Sequence, residues 1–147
     1  MRNSLILLSF LCCLKLHAQD LKTHQWENRI LIVKTNDASS TKFQTQLKEF
    51  RQAAKEMIER KFVMYAIMED EYTYINYKSL TLNNVGKTSG KLAKTLNKKE
   101  EFEVILIGLD GGIKLRETEV MIRTVLFNKV DSMPMRRSEL RKKQKKN

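Results

Sequence analysis

Residues Arg29–Thr35 read RILIVKT, and their centre, from Ile30 to Val33, is an unbroken apolar run. A strand with one face in water alternates apolar and polar residues, whereas a strand buried on both faces is continuously apolar. This segment therefore predicts a central strand that is covered on both sides. A second unbroken run follows, FVMYAIM at residues 62–68, and FEVILIGL at residues 102–109 is nearly a third, so the sequence indicates a sheet with a buried centre.

The residues between the first two runs predict a long helix. A turn-forming segment ends at Thr41, which fits a capping box with Gln44. Beyond it, apolar residues recur at spacings of three and four, the period of a helix with one buried face. We expect a single helix from about Ser40 to Lys61.

A hairpin signal and a last helix follow the third run. Asp110, Gly111 and Gly112 favour a tight turn because glycine tolerates positive φ, and they predict a short antiparallel strand over residues 113–116. Helical spacing then predicts a helix over residues 118–130 that buries Val125 among others. Pro134 lacks a backbone N–H, so it places a break soon after that helix.

The middle of the chain, residues 70–90, is the least regular. Its tyrosines, Tyr72, Tyr74 and Tyr77, suit an extended or irregular insert, and residues 91–97 suit a short helix. The order is then strand, helix, strand, insert with helix, strand, hairpin strand, helix. It resembles a thioredoxin-like α/β fold, with a central mixed sheet of about four strands flanked by helices.

The N-terminus has the features of a signal peptide. Arg2 precedes an apolar run over residues 5–14, and the small Ala18 precedes a polar stretch. We expect residues 1–19 to be removed by cleavage near Ala18 and Gln19, which would place the mature protein in the periplasm or outside the cell. A membrane span needs about 20 apolar residues, so no transmembrane span is expected in the mature chain; an uncleaved anchor is the alternative.

Both cysteines, Cys12 and Cys13, fall within the predicted signal peptide. A chain that begins near Asp20 would contain neither, which excludes disulfides, thiol redox chemistry and a cysteine nucleophile. Lipid modification of one of the two cysteines is a minor alternative.

The positive charge is concentrated at the C-terminal end. The chain has 28 basic and 17 acidic residues, for a formal charge of +11, and residues 136–147 contain seven of the basic residues but only Glu139 among the acids. We therefore expect a domain over residues 20–135 and a basic tail over residues 136–147. Such a tail attracts anionic lipid, polysaccharide or nucleic acid, although an ordinary solvated terminus is the favoured interpretation. Specific nucleic-acid binding is not expected, because no aromatic residues are interleaved with these charges.

Three parts of the sequence resemble an uncharacterised bacterial family, the domain of unknown function 4174. They are Trp26 ahead of the first strand, IGLDGGIKLR at residues 107–116 and VDSMPMRRSE at residues 130–139. The resemblance covers about residues 20–139 and implies a thioredoxin-like fold close to the peroxiredoxins, with no established reaction. It places the family's structural motifs on Asp110, Gly111 and Gly112 and on Asp131, Met133, Pro134, Met135, Arg136 and Glu139.

The resemblance also points to an absent thiol. Redox-active thioredoxin relatives have cysteine at the start of the first long helix, where this chain reads DASST at residues 37–41. Thiol–disulfide exchange needs a thiolate, so this chemistry is not expected here.

The motif DSMPMRRSE, residues 131–139, has two interpretations. Arg136 and Arg137 would offer planar donor groups to an anion or a partner, beside the adaptable side chains of Met133 and Met135. Alternatively the motif closes the domain, with the methionines filling a gap and an arginine paired with an acid such as Asp131, Glu139 or Asp110. We favour closure, because the domain needs its final helix held in place and methionine commonly fills gaps in a core. We interpret Trp26 as a buried anchor rather than an exposed stacking ring, because large aromatic rings usually serve burial.

Other motifs carry weaker signals. GKTSGK at residues 86–91 lacks the glycine that a phosphate-binding loop places five residues earlier, so it is interpreted as a flexible turn. The acids at residues 69–71 are interpreted as a solvated strand end rather than a cation site. His24 is expected to be peripheral, and no serine lies in a nucleophile-elbow pattern. No metal or cofactor is predicted.

The sequence therefore favours a non-catalytic, extracytoplasmic thioredoxin-like module that binds a protein or an anionic polymer of the cell envelope. The alternative is a cysteine-independent enzyme with a site near the start of the first long helix and the closing motif. An accessible arginine of the closing motif beside Ser40 or Thr41 would favour the enzyme, and its burial in an ion pair would disfavour it. The candidate binding residues are Ser39, Ser40, Thr41, Arg136 and Arg137.

Overall fold

A mixed six-stranded sheet forms the centre of the protein. The computed structural model describes residues 21–79 and 84–145 of the 147-residue chain. The strands are β1 (Arg29–Thr35), β2 (Phe62–Met68), β3 (Glu71–Asn76), β4 (Asn84–Lys87), β5 (Phe102–Ile107) and β6 (Ile113–Glu117). The helices are α1 (Thr41–Arg51), α2 (Ala54–Glu59), α3 (Gly90–Thr95), α4 (Arg123–Asp131) and α5 (Pro134–Gln144), preceded by a 3₁₀ turn at Leu21–His24.

The strand order is β4-β3-β2-β1-β5-β6. β1 pairs in parallel with β2 and antiparallel with β5, and β5 pairs antiparallel with β6. β1 and β2 form a parallel pair connected through a helical segment, and β1 also pairs with the antiparallel hairpin of β5 and β6. This arrangement is thioredoxin-like, so the predicted fold class is confirmed.

β1 is the buried centre of the sheet, as its apolar run predicts. All seven of its residues are buried. Leu31 and Val33 pack into one apolar cluster with α1 and α4, and Ile30 and Ile32 pack into a second cluster on the opposite face. Successive side chains of a strand point to opposite faces, so a strand covered on both faces needs apolar residues throughout.

The sheet has six strands rather than about four. The added strands, β3 and β4, form an antiparallel hairpin on the outer edge of β2, where we expected an extended or irregular insert. GKTSGK is consequently not a flexible turn, because its first two residues end β4 and its last two begin α3. The Tyr72 side chain lies over Gly86, and a Cβ at residue 86 would lie only 2.7 Å from the tyrosine Oη. The pairing of β3 with β2, and of β4 with β3, therefore orders this segment.

The predicted helix over residues 40–61 is two helices. Its N-cap is Ser40 rather than Thr41, because the Ser40 Oγ accepts a hydrogen bond from the Phe43 N–H at 3.3 Å. At Ala53 the backbone N–H bonds to the Phe50 carbonyl, three residues back, and the helix is interrupted there. The apolar spacing does not reveal this break because Phe50, Ala53 and Met57 are buried on both sides of it.

The last predicted helix is shorter and is followed by another. α4 begins at Arg123 instead of residue 118, because the side-chain amide of Gln46 makes two hydrogen bonds to the backbone of Met121, at 2.8 and 2.7 Å, and holds it outside the helix. Val125 is 52% exposed, contrary to expectation. α4 ends at Asp131, as the predicted break soon after Val130 requires, and Pro134 is the first residue of α5. The expected boundary between residues 135 and 136 therefore falls inside α5.

The predicted signal peptide, residues 1–19, lies outside the described residues, and so do both cysteines. Within residues 21–79 and 84–145, no helix is long and apolar enough to cross a membrane.

Candidate functional site

Arg136 joins three elements at one end of the sheet. It is 4% exposed, and its Nε donates to Asp131 Oδ1 at 3.1 Å. Its other nitrogens donate to the carboxylate and the backbone carbonyl of Glu59, at 3.0 and 3.1 Å. The expected arginine–acid pair of the closing motif therefore forms at Arg136, and it fastens α5 to the ends of α2 and α4.

The carboxylates around Arg136 have lowered pKa values. The hydrogen bond from Arg136 is the main cause of the lowered pKa of Glu59. Burial by itself raises the pKa of Asp131, but hydrogen bonds from Arg60 and Arg136 outweigh it, and the net result is a lowered pKa. Both groups are therefore charged under ordinary conditions.

Positive charge exceeds negative charge in this network. Asp131 also pairs with Arg60 at 2.6 Å, and Glu139 pairs with Arg29 and Lys61, each at 3.3 Å. The connected ion pairs bring together five cations and three carboxylates, namely Arg29, Arg60, Lys61, Arg136 and Lys143 with Glu59, Asp131 and Glu139. We call this group the basal ion network.

A pocket of about 270 Å³ opens beside the basal ion network. One wall is residues 108–110, which lead into the glycine turn at residues 110–112, together with Lys114, and the other is residues 133–135 of the closing motif. Lys114 Nζ pairs with Asp110 Oδ2 at 2.6 Å. The two sequence motifs, which are distant along the chain, thus form one recess, which we call the motif pocket.

Arg29 is the buried cation of the motif pocket. It lines the pocket and is 1% exposed. Its Nη1 donates to the Arg60 carbonyl at 2.8 Å and to Glu139 at 3.3 Å, whereas its Nε and Nη2 have no hydrogen-bond partner among the described residues. Burial lowers the pKa of Arg29 and Glu139 opposes that effect, but an arginine remains charged in proteins.

The sequence reasoning missed Arg29. It begins a strand that is otherwise apolar at its centre and buried throughout. The available signal was the arginine at the first position of this strand. If the strand is buried from its first residue, the charge is buried too and needs an ionic or polar partner.

The predicted binding residues do not form one site. Ser39, Ser40 and Thr41 follow the C-terminal end of β1, whereas Arg136 contacts Arg29's network at its N-terminal end. A seven-residue strand spans about 20 Å. Ser39 Oγ donates to Asp37 at 2.8 Å, and Ser40 caps α1. Of the two arginines, Arg136 is buried and Arg137 is exposed.

Trp26 is not the predicted buried anchor. Its side chain is 60% exposed and its φ is +69°, a conformation that is uncommon for a bulky residue. The Trp26 N–H donates to the carbonyl of Leu109 at 2.7 Å, which ties this segment to the glycine turn. The neighbouring Leu21 and His24 are buried instead.

His24 is likewise not peripheral. It is 8% exposed, its Nε2 lies 2.8 Å from the Tyr65 Oη, and its ring stacks on Tyr74 with the centroids 5.8 Å apart. Burial lowers its pKa and the nearby Glu27 opposes the change. The neutral imidazole is therefore the form that suits the folded protein.

This burial predicts a stability change with pH. The ordinary pKa of His24 is 6.5, and the unfolded chain binds the proton more readily than the folded one. The stabilisation is present above about pH 6.5 and is lost as pH falls towards the lower pKa of the folded state, by at most about 1.4 kcal/mol per pH unit. Urea denaturation between pH 7 and pH 5 measures it.

The control is His24→Gln, which removes the titrating group. The free energy of unfolding of this variant should change less between pH 7 and pH 5 than that of the parent protein. An equal dependence in both proteins would assign the effect to other groups.

A second set of buried charges lies at the opposite end of β1. Glu103 is fully buried and accepts hydrogen bonds from the Asn97 N–H, at 2.7 Å, and from Arg116. Lys34, its partner across the strands, donates to the carbonyls of Asn97 and Glu100. These contacts fix the connection between α3 and β5.

Glu69 and Asp70 connect β2 to β3, Glu71 is the first residue of β3, and all three are exposed, as expected for a solvated strand end. Among the described residues, no group of three histidine, cysteine or acidic side chains could hold a metal ion.

Comparison with known proteins identifies a family. Residues 20–139 match the family described as Domain of unknown function (DUF4174). A solved chain described as "Crystal structure of Trgpx in apo form" is 22% identical; the match covers 76% of this chain and 82% of that chain with a TM-score of 0.47. No curated protein matches this chain. A structural match at this level carries no information on chemistry.

Proposed function

We propose that the chain, which belongs to the DUF4174 family, is a non-catalytic, extracytoplasmic module that binds an anionic polymer of the cell envelope. The extracytoplasmic location depends on the sequence of residues 1–19. An intact-mass measurement on protein from an envelope fraction tests it: a chain that starts near Gln19 or Asp20 is expected, and a full-length cytoplasmic chain would contradict it.

The charge distribution on α5 is the observation that carries the proposal. Glu139, its one acidic residue, turns inward with a 20% exposed side chain and pairs with the basal ion network. The exposed charged residues of the helix and its C-cap are all basic, namely Arg137, Arg141, Lys142, Lys143 and Lys145. Residues 136–144 of the predicted basic tail therefore belong to α5, and Arg137, Arg141 and Lys145 recur at four-residue spacing and form one cationic face, which Lys142 extends.

This face suits a repeating anion better than a single ligand. The cations are spaced along a helix that rises about 1.5 Å per residue, and each positive residue near an anionic surface contributes on the order of 1 kcal/mol to binding. Contacts of this kind are screened by salt. An acidic protein surface is the other class of partner, and it would show a defined stoichiometry.

The test removes three cations that have no ion-pair role. Arg137, Arg141 and Lys142 are exposed, and no salt bridge joins them to another described residue. We expect the triple substitution to glutamine to weaken binding to dextran sulfate by at least about tenfold at low salt, and to reduce the dependence of affinity on salt. Fluorescence anisotropy with a labelled polymer, measured at several salt concentrations, gives both quantities.

A matched control removes the same charge elsewhere. Lys94, Lys98 and Lys99 are exposed at α3 and the segment that follows it, and their substitution by glutamine should cost much less affinity. Equal losses in the two triple variants would show that only net charge matters, and that result would contradict a binding face on α5.

The enzyme alternative loses its proposed site. It requires an accessible arginine of the closing motif beside Ser40 or Thr41, and Arg136 is buried in ion pairs at the other end of the sheet. The described geometry therefore favours the binding module.

A further inference from the structure

Arg29, which lines the motif pocket, has donors that no described residue uses. Arg29 is held through Nη1, while Nε and Nη2 are buried and have no acceptor among the described residues. These two nitrogens form one edge of the guanidinium plane. That edge matches the two oxygens of a carboxylate, with which arginine makes paired hydrogen bonds.

The electrostatic surroundings favour an anion. The basal ion network has five cations against three carboxylates. Pro134 and Met135 line the pocket and begin α5, an eleven-residue helix whose N-terminus is capped by no described side chain. The positive end of the helix dipole therefore lies at the same recess as the unused donors of Arg29.

The size and lining of the recess limit the rest of the ligand. Its volume of about 270 Å³ lies at the small end of ligand pockets. Leu109, Met133 and Met135 provide apolar surface, and methionine adapts to the shape of what it contacts. A short aliphatic body fits this lining.

We propose that the motif pocket binds a small organic monocarboxylate, with the carboxylate on the free edge of Arg29 and a short aliphatic chain against Leu109, Met133 and Met135. Both guanidinium nitrogens are shielded from solvent, so a side chain that lines the pocket must shift before the carboxylate reaches them. This site is separate from the cationic face of α5 and does not depend on polymer binding.

Titration with hexanoate tests the site in the folded protein. The methyl signals of Met133 and Met135, observed by NMR after isotopic labelling, should shift and saturate. Hexanamide has the same shape without the charge, and we expect it to bind at least tenfold more weakly. Equal binding of the two compounds would overturn the carboxylate assignment, and the absence of saturable shifts would overturn the site.

A variant that leaves Arg29 intact avoids confusion with misfolding. Met135 is 39% exposed at the pocket, and Met135→Glu should repel a carboxylate and reduce hexanoate affinity at least tenfold. Ile122→Glu introduces the same charge at an exposed apolar residue that lines a different recess, and it should retain parental affinity. Equal affinities in the two folded variants would overturn the proposal. Dextran sulfate binding should persist in Met135→Glu, so failure of one proposal is distinguishable from failure of the other.

Discussion

Replacement of Arg136 by alanine is expected to lower the free energy of unfolding by about 3 kcal/mol. Removing one partner of a buried ion pair costs about 3–5 kcal/mol because the other charge is left uncompensated. The value expected here is at the low end, since the side chains of Asp131 and Glu59 are 34% and 43% exposed and water can solvate them. Equilibrium urea denaturation measures the change.

Two variants separate this effect from a general loss of charge. Arg137→Ala removes the same side chain from an exposed neighbour and should change stability by less than about 0.5 kcal/mol. Arg136→Lys keeps the charge but not the planar set of donors, so an intermediate loss is expected. If Arg136→Ala and Arg137→Ala were equally stable, the basal ion network would not hold α5 in place.

The different environments of Arg136 and Arg137 also affect how binding tests are interpreted. A loss of partners in a variant that lacks Arg136 would report the release of α5, because Arg136 fastens that helix to α2 and α4. Arg137 is the residue of the pair at which a substitution probes the surface alone.

Replacement of Glu103 by alanine should cost a similar amount, about 3 kcal/mol. The carboxylate is fully buried, and its removal leaves the Asn97 N–H and the Arg116 Nη1 without their acceptor, while Arg116 Nη2 keeps the Thr95 carbonyl. Unsatisfied buried donors cost about 1–3 kcal/mol each, and charged ones cost more. The 34% exposure of the Arg116 side chain limits the loss.

Hydrogen exchange locates the structural effect of Glu103→Ala, and urea denaturation measures the change in the free energy of unfolding. Protection should fall first at Asn97 and in the adjoining residues between α3 and β5. Glu101→Ala is the matched control, because this neighbouring acid is exposed; it should leave both stability and protection nearly unchanged. A loss of stability without local exchange at Asn97 would argue against this role of Glu103.

The strands at the centre of the sheet were predictable because their signal is local. A continuous apolar run such as residues 30–33 cannot leave either face in water, and β1 is buried on both faces. The glycine turn was predictable for the same reason, since Gly111 has φ of +78°. The β3–β4 hairpin was not predicted, because neither strand contains a continuous apolar run and its order comes from the pairing of β3 with β2 and of β4 with β3.

The candidate site was predicted only in part. The motifs at residues 107–116 and 130–139 were recognised, but the sequence did not show that they form two walls of one pocket. Trp26 and His24 were assigned opposite environments from those they have, because size and hydropathy do not indicate which of two neighbours faces the sheet. The left-handed backbone at Trp26 decides that choice.

The fold class, the buried centre of the sheet and the position of the basic segment were predictable from periodicity, turn residues and charge over short windows, and the family was predictable from its motifs. The inward turn of Glu139 to Arg29, 110 residues away, was not, and neither was the exclusively basic charged face that α5 presents as a result. Ion pairs between distant residues depend on where each element docks, and no local pattern contains that information.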